Sequence, residues 1–271
     1  VPKEDARFLL PYAFCSNFYC TLNARELVSL IRSIRLGQGR AVPELRDIAG
    51  QLAGQLTELF PALGTELEDS GPEEAPPEES SPMFREEPVW VPEEEAGSAE
   101  LLAGPAAPGK LLERACRAAN PGTDKPFSPD ALLASPRPRE LEQLSYTFAV
   151  SGLTLAGITH LVRHRMQSVI VPPIQSVDHS RFILPDTIRT NPAALEIYRN
   201  ALTEANRIAR ALCEDPALRP YSCYYAVSGN LMDVMTTLNA RELMLIIRLR
   251  TCTRAQWEIR HVAMGFLRLL R

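Results

Sequence analysis

Thr21-Leu22-Asn23-Ala24-Arg25-Glu26-Leu27 returns unchanged as Thr237-Leu238-Asn239-Ala240-Arg241-Glu242-Leu243. Outward from this string the match loosens. Pro43-Glu44-Leu45-Arg46-Asp47-Ile48-Ala49 aligns with Trp257-Glu258-Ile259-Arg260-His261-Val262-Ala263, with a slip of two residues between the blocks. Two copies more than 200 residues apart are too few for a solenoid, which stacks three or more short repeats. They imply duplication of a whole structural unit, the first copy present only as its C-terminal half.

Each copy has its own physical logic. Before the Asn, Asp233 to Leu238 is β-branched and apolar, as a buried strand would be. After it, apolar residues at 243, 246, 247 and 249 suit a largely buried helix. Asn239, like Asn23, is a strong N-cap, and Glu242, like Glu26, completes a capping-box-like pair. Asn-x-x-Glu alone therefore reads as a helix start. The arginines add to it: Arg241 and Arg25 lie in a first helical turn, where the macrodipole disfavours cations, so a neighbouring anion is expected. At about 100° per residue Arg241 and Arg250 point about 180° apart, so one helix would serve two sites or a site assembled from several copies.

The 271 residues, 45% hydrophobic, suffice for one large or two moderate domains. Residues 65–110 carry 13 acids and two bases, a local −11 against −4 overall, so the remainder is +7. Pro, Gly and Ser are dense there, and the stretch reads as a disordered spacer. A mildly basic folded part suits phosphate-bearing small molecules; a nucleic-acid role would rest on Arg163–Arg165 alone. The six cysteines form no C-x-x-C pair and no zinc spacing, so no metal site is expected, and they read as reduced thiols of a cytoplasmic protein. No apolar run reaches 18 residues, so no membrane span is expected. Val1-Pro2-Lys3 opens in mid-unit and Val262 to Leu270 ends in an uncapped helical pattern, which predicts a fragment of a longer protein.

The patterns predict an α+β chain with three parts: 1–63, the C-terminal half of a first unit; 64–138, an acidic Pro-rich linker with a short helix at 111–119; and 139–271, a second unit. In the first part a strand is expected near 14–22 and helices from 24 and near 44–60. The second should have a strand at 145–150, a helix from Thr154 to Gln167, a loop over 168–192, a helix near 193–213 and a strand near 222–238.

His160, Arg163 and His164 would share one face of the helix 154–167. Three readings stay open. A His-x-x-x-His pair can ligate a metal, although no acid lies nearby as a third ligand; the run can be a solvated basic face; or Arg163-His164-Arg165 can clamp a phosphate or the edge of a flavin.

Arg163-His164-Arg165, then Asn239-Ala240-Arg241, Arg250 and Ala255-Gln256-Trp257-Glu258-Ile259, together resemble the flavin-dependent thymidylate synthases (ThyX) over 139–271, and over 1–63 as half of another unit. The resemblance implies FAD held by Arg163, His164, Arg165, Asn239 and Arg241, with Asn23 and Arg25 in the first copy. It implies dUMP bound by Arg7, His160, Arg163, Ser176 and Arg250, with Arg250 the candidate catalytic residue against the pyrimidine. The implied reaction moves a methylene from methylenetetrahydrofolate to dUMP while flavin reduced by NADPH supplies a hydride, in a homo-oligomer whose sites lie between subunits. The chain departs from that pattern. Ser176 follows Arg165 after ten residues and not seven or eight, Val171 stands where a Glu is expected, the following Arg is missing, and Gln143 replaces a flavin-contacting His. The copies differ too: Arg7 faces Cys223, and Ile34 faces Arg250. The sequence supports a synthase with a composite site from both copies or, alternatively, a degenerate flavin- or nucleotide-binding relative with a structural or regulatory role.

Overall fold

The computed structural model describes residues 1–68, 81–122 and 127–271. The fold is α+β, built on a four-stranded antiparallel sheet of order β2-β3-β6-β4. Its strands are Ser98–Ala103 (β2), Ser145–Thr154 (β3), Gln167–Ile170 (β4) and Leu231–Asn239 (β6). A separate parallel pair joins β1 (Val89–Pro92) to β5 (Arg181–Leu184).

Along β6 the even-numbered residues from Met232 to Leu238 are buried while Asp233 and Met235 are exposed, the period-two pattern of a strand with one covered face. The cover is α10 (Ala240–Arg250) and α11 (Trp257–Leu269), with α7 (Leu155–Leu161) at the edge. Phe148 of β3 and Phe266 of α11 meet at 4.3 Å between ring centroids in the middle of this core. Each such ring removed from water contributes about 2 kcal/mol.

A second core gathers Phe182 and Ile183 of β5 with Tyr198 and Leu202 of α9 (Pro192–Glu214). It also takes in Phe8, from the turn after α1 (Lys3–Ala6). Asp5, buried, accepts from the Trp257 indole (3.0 Å) and from the Thr187 hydroxyl (2.5 Å), and Trp257 stands edge-on to Phe8 at 6.2 Å. The packing therefore divides the chain differently from the sequence: Lys3–Leu9 packs with the second unit. A third, smaller core lies among α2 (Ala24–Leu36), α3 (Pro43–Leu59) and α4 (Pro61–Glu68).

The strand expected near 14–22 does not form. Residues 14–23 carry no regular structure, and Phe14, Phe18 and Tyr19 are exposed. Their repeat counterpart β6 is sandwiched between β3 and β4, whereas 15–23 has no neighbouring strand among the described residues. A strand's main chain needs such a partner. The span 64–138 is not all linker. It contributes α4, β1, β2, α5 (Pro108–Ala119) and α6 (Pro129–Ala134), and β2 is an integral sheet strand. Residues 69–80, the densest part of the expected spacer, lie outside the described residues. The expected loop 168–192 likewise holds most of β4, all of β5 and a short helix, α8 (Asp186–Arg189).

Glu258 joins the two halves of the main core. Fully buried on α11, it accepts from the Thr154 amide (2.7 Å) and hydroxyl (2.5 Å). Thr154 in turn caps α7 by accepting from Gly157 N–H at 2.9 Å. Only glycine suits position 157, since a Cβ there would stand 2.7 Å from Glu258 Oε2. Burial pushes the Glu258 carboxyl up to about 7, with the Thr154 donors opposing. His179, stacked 5.2 Å from Phe84, is pushed down to about 4 by burial, against Asp178.

These shifts act on stability with opposite signs. A carboxyl raised in the fold contributes stability that is complete below its unfolded value of 4.5 and is lost as pH rises through about 7. An imidazole lowered in the fold contributes stability present above 6.5 and lost as pH falls through about 4. Between about pH 4.5 and 6.5 the two slopes oppose. Glu258→Gln is therefore expected to make stability rise more steeply with pH across that window, as read from urea unfolding midpoints.

Candidate functional site

The repeated string folds alike in both places. Asn239 Oδ1 accepts from Glu242 N–H and Asn23 Oδ1 from Glu26 N–H, both at 2.9 Å, so each Asn caps its helix as the sequence requires. The surroundings differ. Asn23 is exposed, whereas Asn239 is half-buried at the end of a central strand.

The Glu242 side chain does not complete a capping box. Its Oε1 lies 3.2 Å from His164 Nδ1, both groups buried. On the other ring edge Arg250 Nε donates to His164 Nε2 at 3.1 Å. A donor at Nε2 requires its lone pair, so His164 is the neutral Nδ1–H tautomer, donating to the Glu242 carboxylate. One imidazole thus ties the Arg-His-Arg run to both ends of the helix that follows Asn239. Burial and the Arg250 charge hold the His164 pKa below the ordinary imidazole value, against Glu242.

The expected helical face of His160, Arg163 and His164 is corrected by the structure. α7 stops at Leu161, because Gln167 donates its amide N–H back to the Leu161 carbonyl (2.6 Å) and accepts at its own oxygen from the Thr236 hydroxyl (2.7 Å). From Gln167 onward the chain belongs to the ladder with β6. Arg163 and Arg165 stand exposed on either side of buried His164, and neither has an ion-pair partner among the described residues. His160 is half-buried, and its Nδ1 is buried without a hydrogen-bond partner among the described residues. Burial, Arg163 and Arg250 together lower its pKa. His160, Arg163, His164 and Arg250 thus form one cluster.

Other expected site residues lie elsewhere. The anion expected beside Arg241 is the protein's own: Glu142, in the turn Arg139–Gln143, pairs with it. The Ser176 hydroxyl donates to the Pro173 carbonyl within its own turn, at 2.7 Å. Arg7 and Arg25 are exposed, Arg25 beside Arg32 and Glu66 at the open end of the small helical unit. Among the described residues no hydrogen bond or ion pair joins Arg7, Asn23 or Arg25 to the His164–Arg250 cluster. No group of three or more His, Cys, Asp or Glu among them could hold a metal.

Sequence reasoning missed Glu142, Gln167 and Thr236 as supports of the cluster. Glu142 is signalled only by the charge rule for a first-turn arginine, and Gln167 falls at the end of the expected helix 154–167.

Residues 1–62 and 109–271 match the family described as thymidylate synthase complementing protein, and the chain belongs to that family. It is 30% identical over 135 residues to a flavin-dependent thymidylate synthase of Geobacter sulfurreducens, covering 48% of this chain and 58% of that one. It is 34% identical over 133 residues to that of Sulfurisphaera tokodaii, covering 47% and 50%. The chain thus spans about half to three-fifths of the length of these curated relatives. Among solved structures it shares the fold of a UMP/dUMP methylase, PolB, from Streptomyces cacaoi, bound with 5-Br UMP. There the TM-score is 0.50 at 21% identity, over 68% of this chain and 89% of that one.

The tautomer of His164 gives a direct test of the cluster. Its NMR titration midpoint should lie below that of a free imidazole and should rise in Arg250→Ala, which removes the like charge and frees the Nε2 lone pair. An unchanged midpoint would mean that Arg250 does not face the ring.

Proposed function

We propose that this protein is a flavin-dependent thymidylate synthase-like enzyme, with FAD and dUMP held at the His160–His164–Arg250 cluster. One observation supports it above the rest: His164 is bonded at one nitrogen to the start of the helix after Asn-Ala-Arg and at the other to its end. Arg163-His164-Arg165 is thereby tied to the helix that begins after Asn239 and ends at Arg250.

The residues suit an anionic, flat ligand. Among the described residues, Arg163 and Arg165 present exposed guanidiniums without carboxylate partners, and the buried Nδ1 of His160 lacks a partner of its own. Guanidinium offers paired donors to a phosphate or to ring carbonyls. Bound FAD, reduced by NADPH, would supply the hydride that completes methylene transfer from methylenetetrahydrofolate to dUMP. The chain's own work is positioning and polarisation. Arg250 has its Nε committed to His164, so its terminal nitrogens are oriented, and a fixed cation beside the uracil ring favours charge developing there. His164, kept neutral, holds Arg250 in place without adding a competing charge.

The composite-site reading assigns Arg7, Asn23 and Arg25 to the site of another chain, in a homo-oligomer. Exposed apolar side chains on both elements of the cluster support a covering chain: Val162, Met166 and Ile170 on one, Leu245 and Leu249 on the other. The six cysteines are all free, which suits a reducing, cytoplasmic setting. No helix among the described residues is long and apolar enough to cross a membrane.

A second reading is favoured by the loop after Arg165. Its Ser176 hydroxyl is spent on Pro173, and Val171 offers no carboxylate. On that reading the protein binds flavin or nucleotide without turnover.

The deciding measurement is dUMP-dependent reoxidation of NADPH-reduced, FAD-loaded full-length protein in the presence of methylenetetrahydrofolate. On the synthase reading, Arg250→Ala and Arg7→Ala each lower turnover by about 10²–10³-fold, the scale of one lost oriented donor. Mixing the two variants restores part of it, because some sites then draw intact residues from both chains. Flavin binding with no response to dUMP would make the protein a binding relative.

A further inference from the structure

Glu242 and Arg250 stand eight residues apart on α10, about 12 Å along its axis. The His164 ring spans them from another element, the loop after α7. Its Nδ1 lies 3.2 Å from Glu242 Oε1 and its Nε2 3.1 Å from Arg250 Nε. The first copy has the same glutamate without this arrangement. There Glu26 is exposed, and Ile34 stands at the place of Arg250, buried among α2, α3 and α4. Only in the copy with a guanidinium at the helix end is the carboxylate at its start buried, at 7% exposure.

A buried carboxylate needs a donor. Glu242 takes the Nδ1 proton of His164, and that bond leaves the Nε2 lone pair for Arg250. The order cannot be reversed, because a guanidinium only donates and a ring protonated at Nε2 has nothing to offer it. The protons on one imidazole therefore decide where Arg250 points. With one, at Nδ1, the ring bonds both partners. With two, Nε2 meets Arg250 as donor against donor and cation against cation, while the contact with Glu242 becomes an ion pair. The guanidinium leaves and the carboxylate stays.

The other charged groups around the ring are Arg163 and Arg165, its chain neighbours, and His160 at the end of α7. Glu142, from the turn before β3, is spent on Arg241, and β4 and β6 bring the neutral Gln167 and Thr236. Glu242 is thus the one carboxylate that meets the ring among the described residues. Burial and the Arg250 charge hold the ring neutral to below the ordinary imidazole range, with Glu242 opposing.

We propose that Glu242 is a positioning residue that sets Arg250 through the tautomer of His164, and that a second proton on the ring releases Arg250 as pH falls. The clasp belongs to the fold. That its release lowers turnover rests on the reading of this cluster as the nucleotide site.

The test is NMR of the nitrogen-labelled full-length protein, free of flavin, followed from neutral to acid pH. The ring shifts report the tautomer, and the Arg250 Nε–H signal reports the bond. In the native protein the ring should be Nδ1–H at neutral pH. The Arg250 signal should be protected from exchange there and be lost with the midpoint of the His164 titration. Glu242→Gln keeps an oxygen that accepts from Nδ1–H but removes the charge that favours the imidazolium. It should retain the signal at neutral pH and move the midpoint to lower pH. Glu242→Leu, with no acceptor, should lose both the Nδ1–H tautomer and the Arg250 signal at neutral pH. An Arg250 signal that outlasts the His164 titration would overturn the proposal, as would an unmoved midpoint in Glu242→Gln. So would a native tautomer and signal in a Glu242→Leu protein. The Gln variant decides alone if a thermal melt shows the Leu variant unfolded. In dUMP-dependent flavin reoxidation, the acid limbs of the native and Gln proteins should fall at these two midpoints. A limb that stays put while the midpoint moves would overturn the link to turnover. The NMR pattern with no dUMP response at all would uphold the clasp and sink the synthase reading.

Discussion

The carboxyl of Glu258 is the point on which the rest of the structure turns. It is fully buried at the start of α11, and both its oxygens are met by Thr154, the residue that ends β3 and caps α7. Three elements converge on that one group. A buried carboxyl is tolerated only when it is well bonded or neutral, and this one is both bonded and shifted toward neutrality. The loop that carries Arg163, His164 and Arg165 hangs from the far end of α7. The position of the cluster relative to α10 is therefore inherited from the Thr154–Glu258 contact at the near end. The same logic repeats one layer out: Gln167 pins the loop between Leu161 and Thr236, and His164 pins it to Glu242 and Arg250.

The repeated string shows how far sequence determines local structure and where it stops. Both copies cap a helix through the same Asn, at the same distance, because capping is settled within four residues. The strand before the Asn is another matter. Cys15 to Leu22 is as apolar and aromatic as its counterpart before Asn239, but a strand is completed by its neighbours, which no local pattern records. Helices near 24, 44 and 193 were legible to within a few residues for the same reason that the strand at 14–22 was not.

The candidate site was legible as a set of residues and opaque as an arrangement. The resemblance gave His164 to the flavin and Arg250 to the nucleotide, and the two side chains are in contact. The sequence placed Arg163 and His164 on one helix face, and the helix ends before them, because a side chain 69 residues away in Thr236 draws Gln167 into the sheet. The partner of Arg241 was foreseen as an anion and turned out to be Glu142, supplied by a turn that composition alone does not mark. The acidic stretch misled in the opposite way. Its glutamates and prolines read as a spacer, yet Val89–Pro92 and Ser98–Ala103 within it find strand partners in β5 and β3, with Val91 buried and Ala99 and Leu101 half-buried against the main core.

Asp5 and Trp257 are 252 residues apart in the chain and bonded in the fold, with Phe8 seated in a core that draws on residues up to Leu231. During synthesis, Asp5 and Phe8 leave the ribosome long before Trp257 and must wait for it before their surroundings are complete. Contacts of such long sequence separation are slow to form, and chains built on them stay exposed to association in the meantime. The segment Lys3–Leu9, with its apolar Phe8, is thus a part of the nascent chain with a long need of a chaperone.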